Sequence, residues 1–67
     1  MKLKKYLQKN KLTQNQFIDE LHKNTGRKIG QGTVSKYILG QRIPRKEEML
    51  VIYDFTEGKV SPNDFYL

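Results

Sequence analysis

The sequence predicts an all-α protein, a compact bundle of four to five short helices forming a single domain over residues 1–67. Three observations carry that expectation. Apolar residues recur at three- and four-residue spacing in successive segments, as one-sided helices require. Helix start and stop signatures bracket those segments. A chain of 67 residues without cysteine has room for one thin core and no disulfide or thiolate metal site to support it.

Taken in order, Leu3, Tyr6 and Leu7 define a first amphipathic helix over residues 2–10, with its lysines outward and Asn10-Lys11 as its stop. Thr13 followed by Gln16 is a capping-box pattern, so a second helix begins at Gln14 and buries Phe17, Ile18 and Leu21. The run from Asp19 to Asn24 can stay helical until Thr25-Gly26 breaks it. Ile29 is expected to plug the core ahead of a third helix at about 31–39. There Val34, Tyr37 and Ile38 form the inward stripe and Gly40 takes the left-handed position at the end.

Pro44 is expected to start a fourth helix, opened by Arg45-Lys46-Glu47-Glu48 and running through Met49, Leu50, Val51, Ile52, Tyr53 and Phe55 to Gly58. The β-branched and aromatic content of Val51 to Thr56 also fits a strand. The preceding proline and following glycine, bracketing a helical length, favour the helix. Its apolar run is too continuous for one face, so it is either the central core helix or partly an interface with another subunit. Ser61 as cap, Pro62 in the first position and Asp64 near the positive dipole end predict a short closing helical turn that carries Phe65, Tyr66 and Leu67.

Charge points to a polyanion. The net charge is +6, and it is unevenly placed: residues 1–11 hold five lysines and no acid, residues 27–46 hold six cations and no acid, and residues 47–67 are net acidic. That segregation is expected of a domain with one side facing nucleic acid, although a protein with merely solvated lysines has the same composition. The outward face of the third helix, Gln31, Gly32, Thr33, Ser35 and Lys36, is small and hydrogen-bonding. Such a face can enter a major groove and touch base edges, and it also suits an ordinary surface helix. The basic start Met1 to Leu7 is followed by no long apolar run, so neither a signal peptide nor a membrane span is expected; the expectation is a soluble, cytoplasmic protein.

Leu12-Thr13-Gln14 with Phe17-Ile18 and Leu21, then Gln31-Gly32-Thr33-Val34-Ser35-Lys36-Tyr37, then Gly40-Gln41-Arg42-Ile43-Pro44, resembles the helix-turn-helix of the phage repressor and Cro family. Gly58 to Tyr66 is similar to the tail of small Cro-like and YdaS-like regulators. The matching segments span most of the chain. The departure is an extended turn: about six residues within His22 to Lys28 are extra relative to the family pattern. Gly30 also stands where the family often has a Ser or Thr cap.

The resemblance implies a lambda-repressor-like fold, double-stranded DNA as partner, and the third helix in the major groove. It makes Gln31 the leading base reader, with Gly32, Thr33, Ser35 and Lys36 along the groove. Gln14 corresponds to the family's phosphate-binding glutamine, and Arg27, Lys28, Gln41 and Arg42 are backbone candidates. Lys2, Lys4, Lys5, Arg45 and Lys46 are weaker ones. A homodimer on an inverted repeat is expected, with Tyr53, Phe55, Phe65, Tyr66 and Leu67 as its surface unless those aromatics finish the monomer core.

Other functions have less to stand on. A single histidine, His22 on the polar side of its helix, no phosphate-binding glycine loop and no paired carboxylates give an enzyme, a cofactor or a metal site nothing to work with. The main rival is an antitoxin-type protein-interaction module whose C-terminal aromatics cap a partner toxin while its helix-turn-helix regulates its own operon. Single-stranded nucleic acid binding would need exposed aromatics among the cations, for which only Tyr6 and Tyr37 are placed, and both also fit the core.

Overall fold

A computed structural model describes residues 1–66. Four α-helices, α1 (Leu3–Lys9), α2 (Gln14–Thr25), α3 (Gln31–Leu39) and α4 (Lys46–Phe55), are followed by a short 3-10 helix, Pro62–Phe65. Among the described residues there is no strand, so Val51 to Thr56 is not one. α2 packs on both α3 and α4, α1 packs on α3, and the 3-10 helix packs on α4.

Local sequence explains where α2 and α3 begin and end. Thr13 accepts the Gln16 backbone N–H at 3.1 Å, and the Gln16 side chain accepts that of Thr13 at 2.9 Å, closing the capping box. Gly26 (φ 76°) and Gly40 (φ 74°) end α2 and α3 in the left-handed region, where a Cβ would be strained. Behind the helices, Phe17, Leu21, Val34, Ile52 and Val60 have no solvent exposure, and Leu3, Leu7, Ile29 and Tyr37 close around them. Full burial of a side chain such as Phe17 stabilises by roughly 1.5–3 kcal/mol.

Three boundaries differ from expectation by more than one residue. Pro44 lies outside α4, buried ahead of an extended Arg45 cap, and the first helical hydrogen bond runs from the Met49 N–H to the Arg45 carbonyl at 2.9 Å. Starting at Lys46 puts Glu47 and Glu48 in the first turn, where the helix dipole favours carboxylates. At its other end α4 stops at Phe55 rather than reaching Gly58. Thr56 turns inward there: its buried hydroxyl donates to the Ile52 carbonyl at 2.8 Å and accepts the Val60 N–H at 3.1 Å. Glu57 and Gly58 then take left-handed conformations and the Gly58 N–H returns to the Tyr53 carbonyl at 2.8 Å. The closing turn is a 3-10 helix that ends at Phe65, with Tyr66 already extended; Leu67 lies outside the described residues.

The two ends of the chain meet. The Met1 ammonium and the Ser61 backbone N–H both donate to Asp64 Oδ2, at 2.9 and 2.8 Å, while Lys2 Nζ donates to the Asp64 carbonyl at 2.7 Å. Burial alone would raise the Asp64 pKa. The ammonium and the Ser61 donors outweigh it and hold the carboxyl below its ordinary range.

Candidate nucleic-acid interface

The inward stripe of α3 fixes which side faces out. Val34 and Tyr37 are buried, and burial pushes the Tyr37 phenol up, with Glu48 adding to the shift against Arg42 and Arg45. Rotated away from that stripe, Gln31, Gly32 and Lys36 are exposed, while Thr33 is half-buried. Gly30 caps α3 with no side-chain oxygen, so the backbone N–H groups of the first turn point outward without an intrahelical acceptor. A Cβ built on Gly32 would meet nothing within 4 Å, and its φ is not positive. Neither packing nor backbone geometry within this chain calls for a glycine there, although glycine costs a helix roughly 0.5–1 kcal/mol relative to alanine.

Ser35, expected in the base-reading row, also bonds to α2. It is half-buried, and its hydroxyl donates to Gln14 Oε1 at 2.7 Å, tying α3 to the first turn of α2. The pairing occupies the Gln14 acceptor and leaves its Nε2 group as a donor at the start of α2. Ser35 thus reaches α2 through this bond while remaining partly exposed.

Cations flank this face at both ends. Between α2 and α3 the chain is tied at both ends: α2 continues to Thr25, Gly26 reverses the chain, and Ile29 anchors it in the core. Arg27 and Lys28 are left exposed between those fixed points. Beyond α3, the backbone N–H groups of Gln41 and Arg42 both reach the Lys36 carbonyl, at 2.9 and 3.3 Å, so their exposed side chains project from a fixed end. Among the described residues the one ion pair is Met1 with Asp64, so Arg27, Lys28, Lys36 and Arg42 have no carboxylate within 4 Å. Unneutralised cations beside unpaired N–H groups make a surface that attracts anions.

The aromatic C-terminal region divides. Phe55 packs edge-on against Phe17 with ring centroids 5.6 Å apart, and Phe65 against Tyr37 at 6.1 Å, so both help finish the core. Tyr53 and Tyr66 remain exposed. Two further exposed side chains had no signal in the sequence, Leu39 and Ile43, which extend past the inward stripe of α3 into the following loop. Leu50 on α4 is also exposed. His22 is exposed, and among the described residues no group of three or more His, Asp or Glu side chains is placed to hold a metal ion. No helix among them is long and apolar enough to cross a membrane. Compared with known protein families, curated proteins and solved structures, the chain gives no match.

Proposed function

We propose that this protein is a sequence-specific, double-stranded DNA-binding transcriptional regulator of the helix-turn-helix type, non-enzymatic and acting as a homodimer. The single observation that supports it best is the outward face of α3: exposed Gln31, Gly32 and Lys36, flanked by Arg27, Lys28 and Arg42, which have no ion-pair partner among the described residues. In this function α3 lies in the major groove with its N-terminal residues nearest the bases. Gln31 pairs with adenine through its amide, and Gly32 lets the backbone approach. Gln14 donates Nε2 to a phosphate, while Arg27, Lys28, Gln41 and Arg42 hold the backbone on either side.

Selection from a random duplex pool at moderate ionic strength tests this function. The expected result is an enriched inverted repeat, which would establish duplex binding, specificity and two-fold symmetry together. A pool that returns no consensus would refute it.

A second function, an antitoxin-type module that binds a partner protein, is favoured by exposed Leu50 and Tyr53 on α4 beside the exposed acids Glu47, Asp54 and Glu57. It predicts a stoichiometric partner that co-purifies with the chain and is released by substitutions on α4, with α3 substitutions having no effect.

A further inference from the structure

A groove of about 330 Å³ lies at the C-terminal end of α3, and its apolar lining comes from Tyr37, Ile38, Leu39, Ile43 and Phe65. Leu39 is 68% and Ile43 48% exposed, so much of that lining is open to solvent. Small-molecule sites have volumes of roughly 300–1,000 Å³ and mostly apolar walls with a few polar groups. The groove is at the small end of that range and has the same make-up.

Three polar side chains share the lining: Lys2, Tyr37 and Asp64. Two are already engaged. Lys2 Nζ donates to the Asp64 and Tyr66 carbonyls at 2.7 and 3.3 Å, and Asp64 Oδ2 accepts from the Met1 ammonium and the Ser61 N–H at 2.9 and 2.8 Å. Tyr37 differs. It is only 7% exposed, yet its hydroxyl makes no hydrogen bond among the described residues. No side-chain polar atom sealed from solvent among those residues lacks a partner, so this hydroxyl reaches solvent, and the groove is open space that Tyr37 lines. A phenol this buried ordinarily has a partner. Here the donor is left for a molecule outside the chain.

The charge around the groove favours an anion. Burial pushes the Tyr37 phenol up and Glu48 adds to that, while Arg42 and Arg45 are near enough to pull against both. These two arginines, Lys2 and the Met1 ammonium oppose only Asp64 and Glu48, and Asp64 is the carboxylate paired with the ammonium. An ammonium group has three donors, and Lys2 uses two of them on carbonyls.

The geometry points to a ligand site for a small amphipathic carboxylate, with its apolar body against Ile38, Leu39, Ile43 and Phe65 and its carboxylate accepting from the Tyr37 hydroxyl beside Lys2. A neutral apolar molecule leaves the phenol and the cations unmatched. A compact inorganic anion leaves the apolar wall wet. The site belongs to the chain alone and does not depend on the DNA-binding function, so either can fail without the other.

The test titrates the full chain with cinnamate, read by calorimetry and by backbone amide shifts in NMR spectra. Cinnamamide supplies the same body without the charge, and inorganic phosphate the charge without the body. Saturable one-site binding is expected, with a dissociation constant on the order of 1–10 mM and shifts at Ile38 to Ile43 and Phe65. Cinnamamide should not saturate over the same range, and phosphate should leave Ile38, Leu39 and Ile43 unshifted. Tyr37→Phe keeps the ring in the core and removes only the hydroxyl, so the unfolding midpoint should hold while cinnamate binds about tenfold more weakly. Ile43→Gln, at an exposed position, should weaken cinnamate by about threefold or more through the wall.

Five results would overturn the inference. Cinnamate could fail to bind or could shift α4 in place of the groove; cinnamamide could bind as tightly; phosphate could displace cinnamate at equal concentration; Tyr37→Phe and Ile43→Gln could both leave its affinity unchanged; or the groove resonances could move with protein concentration alone, which would give the groove to a second copy of the chain.

Discussion

The Ser35 hydroxyl donates to Gln14 Oε1 at 2.7 Å, joining two helices through residues 21 positions apart. With its acceptor engaged, Gln14 is held as a donor at the start of α2. Ser35→Ala should therefore weaken binding to selected and random duplexes alike and cost about 0.5–1.5 kcal/mol of stability. A double-mutant cycle with Gln14→Ala on duplex affinity should show strong non-additivity. A changed base preference in Ser35→Ala would instead make Ser35 a base reader.

Gln31 is exposed and makes no side-chain hydrogen bond among the described residues, so its removal should leave the fold intact. Gln31→Ala is expected to cost roughly 1–3 kcal/mol on the preferred site and to relax selection at one base position. Equal weakening on selected and random duplexes would assign Gln31 to the backbone.

Gly32 separates stability from function. Alanine there meets no atom within 4 Å, so Gly32→Ala should raise stability by up to about 0.5–1 kcal/mol in urea unfolding. Its methyl group would project into the surface proposed to face DNA, and affinity for duplex should fall. A variant that is more stable and binds equally well would show that no close approach occurs at this turn.

Arg42 is exposed, without an ion-pair partner among the described residues, and set on the end of α3 by the Lys36 carbonyl. Arg42→Ala should reduce affinity on every sequence and lower the slope of log affinity against log salt by about 1. An unchanged slope would take Arg42 out of the phosphate contacts.

Thr56 is 1% exposed and joins the end of α4 to the fully buried Val60 through its hydroxyl. Thr56→Val keeps the shape but leaves the Val60 N–H without its acceptor, a loss of about 1–3 kcal/mol measurable by denaturant unfolding. Thr56→Ser should retain most of that stability, because the hydroxyl remains.

By itself the sequence determined the number of helices, the beginnings of α2 and α3 and their ends at glycine. Those features depend on hydrogen bonds and apolar spacing within a few residues, as in the Thr13 and Gln16 capping box. Much of the candidate surface was legible for the same reason, since the buried Val34 and Tyr37 leave Gln31 and Lys36 facing out.

Only the tertiary structure decided the borderline positions. It turned Ser35 toward Gln14, drew Phe55 and Phe65 against Phe17 and Tyr37, ended α4 at the buried Thr56, and left Leu39 and Ile43 uncovered. The physical reason is distance along the chain: the partners that bury or orient these side chains include residues 21 to 38 positions away, beyond the reach of helical periodicity.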